Sequence, residues 1–146
     1  MASTTNAPQR ASASSRERAI RIGLGALAAV NLFTGLFMVV DPSGFVDSIG
    51  PFGEVNDHYV RDVSTWSLAY GAALVIAAGN ASWRVPVLGF GIAQAALHVI
   101  NHVVDVGDAD PGWVGVFDVV AIAVTVAVMW WLLSAVRAEG ARSARR

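Results

Sequence analysis

The stretch Val85-Pro86-Val87-Leu88-Gly89-Phe90-Gly91-Ile92-Ala93-Gln94-Ala95-Ala96-Leu97-His98-Val99-Ile100-Asn101-His102-Val103-Val104 decides how the chain is read. It has 20 residues and no Asp, Glu, Lys or Arg. About 20 apolar residues of helix cross the roughly 30 Å of hydrocarbon in a bilayer. His98 and His102 are four apart and share one helical face, and Asp105 stays near it. Ionisable groups at such a depth are costly and mark a functional site by default.

Three further stretches have the same character. They are residues 22–40, 57–78 and 113–136, separated by segments rich in Pro, Gly, Asn and Asp. Over all 146 residues, 55% are apolar and 14% charged. A soluble domain carries about 25% charge. The pattern predicts an all-α fold, a transmembrane bundle of four spans occupying residues 19–136. Residues 1–18, rich in Ser, Ala, Thr and Arg, are expected to be a disordered tail. Residues 137–146 read as a basic tail. The first apolar run, 19 residues, exceeds the roughly 7–15 of a signal-peptide core and reads as an uncleaved span.

Between the first two spans, Asp41-Pro42 offers a cap followed by a first-turn proline. Phe45, Val46 and Ile49 then recur at helical spacing before Gly50-Pro51-Phe52-Gly53. A short interfacial helix and an apolar loop on the bundle mouth both fit. Asn56 or Asp57 caps the second span, and Asn80 to Arg84 forms a tight turn.

All ten basic residues are arginine, and there is no cysteine. Thiol catalysis, thiolate metal sites and disulfides are therefore excluded. The net charge of −1 points to no nucleic-acid partner. Placing both termini in the cytoplasm puts nine arginines inside and leaves only Arg61 outside. That distribution predicts N-in, C-in orientation in the cell membrane, with the bilayer as principal partner. Gly25-x-x-x-Ala29 and Gly91-x-x-x-Ala95 are small-residue spacings that suit contacts within the bundle, with a second copy, or with another membrane partner.

In this orientation the second, third and fourth spans bring polar groups to a common outer depth. These are His58, Arg61 and Asp62; Gln94, His98, Asn101, His102 and Asp105; and Asp118. Asp118 lies five residues into its span, about 7–8 Å at 1.5 Å per residue. Gly115 lies near it and leaves room for a neighbour.

Three readings stay open. His98, His102, Asp105 and His58 could hold zinc, copper or iron, with haem a weaker version. The zinc-protease motif is not met, because Val99 stands where its glutamate belongs. Alternatively, Arg61, Asp62, Gln94, Asn101, Asp118 and Asn31 form a structural polar network across helices. The third reading is a proton or small-ligand site, since histidine titrates near neutrality. A non-enzymatic membrane protein is the first functional reading. The alternative is a membrane oxidoreductase subunit or enzyme using a metal, haem or quinone.

Asn56-Asp57-His58-Tyr59-Val60-Arg61-Asp62 and the later His98-x-x-x-His102 also carry a resemblance. The chain resembles an uncharacterised family of four-helix integral membrane proteins of actinobacteria. There, Asn-x-His-x-x-Arg-Asp opens the second helix and His-x-x-x-His closes the third. Its layout is similar to that of DoxX-like proteins. The resemblance covers roughly residues 41–136. It implies that His58, Arg61, Asp62, His98 and His102 form one unit, and it implies no particular activity or cofactor.

Overall fold

The computed structural model describes residues 7–143 and 145, with side chains from residue 15 to 142 and at 145. The described residues form five α-helices: α1 Ala7–Val40, α2 Pro42–Ser48, α3 Asp57–Gly79, α4 Ala81–Val104 and α5 Trp113–Ser143. α1 packs on α3, α3 on α4, α4 on α5, and α5 closes back on α1. The four long helices run alternately up and down. One end of the ring holds the start of α1, the end of α5 and the α3–α4 turn. The other end, the loop end, holds α2 and the α4–α5 loop.

Three helical segments are long and apolar enough to cross a membrane: Ser15–Val40, Ala81–Val104 and Gly112–Arg142. The remaining expected span corresponds to α3, which has 23 residues and opens on Asp57, His58, Arg61 and Asp62. Its polar first turns set it apart from the other three.

Local chemistry explains the boundaries. The Asp41 carboxylate accepts the Gly44 N–H at 2.9 Å, and Pro42 fills the first position of α2. The Asn56 side chain accepts the Tyr59 N–H at 3.0 Å and starts α3. Asn80 serves two helices at once. Its backbone N–H donates to Ile76 at 2.8 Å and ends α3. Its side-chain oxygen accepts the Ser82 N–H at 3.1 Å and starts α4. A one-residue turn results.

The expected disordered tail at residues 1–18 is corrected in part. α1 begins at Ala7, so residues 7–18 are helical, whereas residues 1–6 lie outside the described residues. The helix gains a tertiary anchor at Glu17, which receives hydrogen bonds from Arg84 and Arg21. The basic tail likewise continues α5 as far as Ser143.

The core is aliphatic. Ile20, Leu24, Leu74, Leu88 and Leu132 are fully buried, and Met129 packs among them. Two glycines let α1 and α3 touch closely. A Cβ added at Gly35 would meet Leu68 of α3, and one at Gly71 would meet Leu32 of α1. Large apolar side chains cover the outside: Phe33, Leu36, Phe90, Leu97, Ile100, Phe117, Trp130 and Trp131 are all exposed. A water-soluble monomer seldom presents continuous apolar surface of this kind, whereas a bilayer solvates it.

Candidate functional site

The last turns of α4 carry His98, Asn101 and His102, and Asp105 caps that helix. Helical spacing alone brings the two imidazoles together, with ring centroids 4.6 Å apart in an edge-to-face arrangement. Helix α5 adds the carboxylate. Its approach depends on Gly115, where an added Cβ would run into the backbone carbonyl of Val106. With that close approach, Asp118 Oδ2 lies 3.9 Å from His102 Nδ1.

Both side chains are nearly enclosed, with 15% of His102 and 10% of Asp118 exposed. The two facing atoms are buried and have no hydrogen-bond partner. A direct bond between them would need about 2.7–3.2 Å, so the pair is adjacent but not bonded. Leaving a buried polar group unpaired costs about 1–3 kcal/mol.

Above the pair lies Phe52, whose ring meets the His102 ring edge-on with centroids 5.1 Å apart. The Pro51 carbonyl accepts the Asp110 N–H at 3.2 Å and ties this segment to the α4–α5 loop. Gly53 follows with φ of +115°, a conformation that glycine adopts without a steric penalty.

The other residues singled out from the sequence lie elsewhere. His58 and Asp62 pair with each other at 3.4 Å, with 88% and 66% of their side chains exposed. Arg61 donates to Asp57 at 3.3 Å and to the Val39 carbonyl at 3.5 Å, and it does not reach Asp118. The His58–Asp62 and Arg61–Asp57 partners are one helical turn apart, so the ion pairs of α3 are local. Asn31 donates to the Leu27 carbonyl of its own helix at 2.9 Å. Gln94 and Asp105 are half-buried, and Asn101 is exposed.

The site that three helices were expected to share is thus built by two, α4 and α5. The set His98, His102, Asp105 and His58 is not assembled: no group of three or more His, Asp or Glu able to hold a metal ion occurs among the described residues. The expected network of Arg61, Asp62, Gln94, Asn101, Asp118 and Asn31 is likewise dispersed. Asn31, Ser64 and Thr125 each return a hydrogen bond to their own helix rather than across the bundle.

A buried bidentate ion pair among the described residues escaped the sequence reading. At the opposite end from His102, Arg84 donates two parallel hydrogen bonds to the Glu17 carboxylate, both 2.7 Å. Its Nε donates to the Ala77 carbonyl at 3.2 Å. Arg84 is 4% exposed. The partners are 67 residues apart, and only the closed ring brings them together. Glu17 is the one acidic residue before the first apolar run, which was the available signal.

No protein-family model, curated protein or solved structure significantly matches the chain.

Proposed function

We propose that the chain is a four-span integral membrane protein of the cell membrane, with both termini cytoplasmic. We further propose that His102 and Asp118 form a proton-responsive site at its outer mouth, flanked by His98. One observation carries the reading: two buried, mutually facing titratable atoms, 3.9 Å apart, neither with another partner. Such a pair can share one proton, held on the carboxyl or on the imidazole. Either form allows one hydrogen bond, and the ionised form allows a charge-assisted one near 2.7–2.9 Å. Reaching that distance requires the two side-chain atoms to approach by about 1 Å. Gain or loss of the proton therefore changes the charge and the hydrogen bonding that link α4 to α5 at this point.

Phe52 packs edge-on against the His102 ring and covers one side of the pair. The resemblance to the four-helix actinobacterial family agrees with His98 and His102 acting together. The exposed His58–Asp62 pair stands apart from them.

Infrared difference spectroscopy across a pH step tests the assignment. One buried carboxyl band and one imidazole band should change together, because strongly coupled groups titrate as a pair. Asp118→Asn or His102→Ala should each remove both signals, whereas His58→Ala should leave them unchanged. Persistence of the carboxyl band in Asp118→Asn would overturn the site. Orientation is tested separately by cysteine labelling from outside intact cells. Asp108→Cys should react and Arg142→Cys should not, and the reverse pattern would invert the topology.

A further inference from the structure

Aromatic side chains hold α3 and α4 together at one level. The Tyr70 hydroxyl donates to the Val87 carbonyl at 3.3 Å and lies so close to Gly91 that a Cβ there would overlap it. Trp66 stacks on Tyr70 with centroids 5.6 Å apart and meets Phe90 of α4 at 5.2 Å. Val87 and Gly91 therefore mark the face of α4 that meets α3. Tyr70 marks the face of α3 that meets α4.

Toward the loop end the same two faces are not packed. At about 100° per residue, Gln94, His98 and Asn101 fall within about 40° of Val87. Gln94 is only half-buried, and His98 and Asn101 are exposed. On α3, Val63 and Tyr59 fall within about 20° of Tyr70. They are 40% and 66% exposed. The seam is closed at Trp66 and Tyr70 and open beyond them. Its α4 wall is polar, and no described residue gives a hydrogen bond to the side chains of Gln94, His98 or Asn101. An amide or imidazole facing hydrocarbon without a partner is costly, and water supplies the missing bonds.

This opening leads to His102, whose ring meets that of His98 at 4.6 Å. His102 is 15% exposed; its Nδ1 is enclosed against Asp118, and its Nε2 is not enclosed. The other charged groups at this end are Asp105 on α4, Asp108 and Asp110 after it, Glu54 before α3, and the His58–Asp62 and Arg61–Asp57 pairs at the head of α3. None of them forms an ion pair or hydrogen bond with His98 or His102. His98 is thus the titratable group that joins the exposed wall to His102.

We infer that the loop-end half of the α3–α4 seam is a water-filled crevice and that His98 relays protons between that water and the His102–Asp118 pair. His98 takes a proton from the crevice and passes one to His102 Nε2 through a bridging water, since the two rings are not hydrogen-bonded to each other. His102 releases its Nδ1 proton to Asp118 Oδ2 and is left neutral, with its proton on Nε2. Release runs the same steps backward. The relay rests on the His102–Asp118 reading, whereas the crevice rests only on the seam and the membrane reading.

Two measurements test the two parts. The chain has no cysteine, so single cysteines report without background. A charged methanethiosulfonate reagent is placed on both sides of liposomes holding the full chain. Gln94→Cys and Asn101→Cys should react at least tenfold faster than Ala93→Cys and Ile100→Cys, their neighbours at the same depth on the far face of α4. Ala93 and Ile100 are themselves exposed, so a seam filled by lipid would give equal rates and overturn the crevice. For the relay, the infrared bands of the pair are followed in time after a pH jump. In His98→Ala they should change at full amplitude but at least tenfold more slowly, and added imidazole should restore the rate. Wild-type speed in His98→Ala, or slowing that imidazole does not relieve, would overturn the relay. A wild-type protein without coupled bands would remove the His102–Asp118 reading and the relay with it, while the cysteine rates still decide the crevice.

Discussion

Glu17→Gln should destabilise the folded chain by about 3 kcal/mol, the lower end for breaking a buried ion pair. The cause is what remains behind. Arg84 is 4% exposed, and its guanidinium would stay enclosed without its carboxylate. The lower end applies because Glu17 keeps 30% of its side chain exposed and water screens part of the pair. Arg84→Lys should recover little, since an ammonium cannot make the two parallel bonds of 2.7 Å that the guanidinium makes. The double variant Glu17→Leu with Arg84→Met should lie within about 1 kcal/mol of wild type, because well-packed apolar replacements of buried pairs are often neutral. Denaturation of the purified protein by increasing SDS in mild detergent, followed by tryptophan fluorescence, measures all three variants against wild type. A Glu17→Gln protein as stable as wild type would show that the contact does not hold α1 to the α3–α4 turn.

Gly91→Leu should cost about 3 kcal/mol, the upper end for overpacking a tight core. Gly91 is buried on α4, and an added Cβ would fall inside the Tyr70 hydroxyl. That hydroxyl sits where three helices meet, bonded to Val87 of α4 and Met129 of α5. Displacing it therefore disturbs α3, α4 and α5 together. Tyr70→Phe removes the hydrogen bond without adding volume and should cost about 1 kcal/mol. It also clears the hydroxyl from the space beside Gly91. Adding Tyr70→Phe to Gly91→Ala should accordingly cost less than the two single changes summed, a coupling expected of residues in contact. The same denaturation series reads this coupling, and strict additivity would rule out the contact as its source.

Much of the helical framework is written in local patterns. The apolar runs are long enough to specify helices wherever they pack. Asp41, Asn56 and Asn80 place a side-chain oxygen where a helix must start, and each caps a backbone N–H within the next three residues. The face shared by His98 and His102 follows from a separation of four residues, and their rings meet as that spacing requires. The room at Gly115 for a close neighbour was also legible, although the neighbour proved to be the Val106 backbone.

Pairings across the bundle were not legible, for a physical reason. A polar side chain in an apolar surrounding must find a partner, but its sequence neighbourhood shows only the local candidates. Arg61 and His58 took theirs one turn away, at Asp57 and Asp62, and so never joined the imidazoles of α4. Arg84 had no carboxylate within reach along its own helix, and only ring closure supplied Glu17. The same contact lengthens α1 into what composition alone marks as a disordered tail. Hydropathy and spacing thus determined the helices, most of their ends and the histidine pair. Tertiary packing alone decided that Asp118 faces His102, that Glu17 binds Arg84, and that the α3–α4 seam opens beyond Tyr70, because each depends on distances between helices that no local pattern encodes.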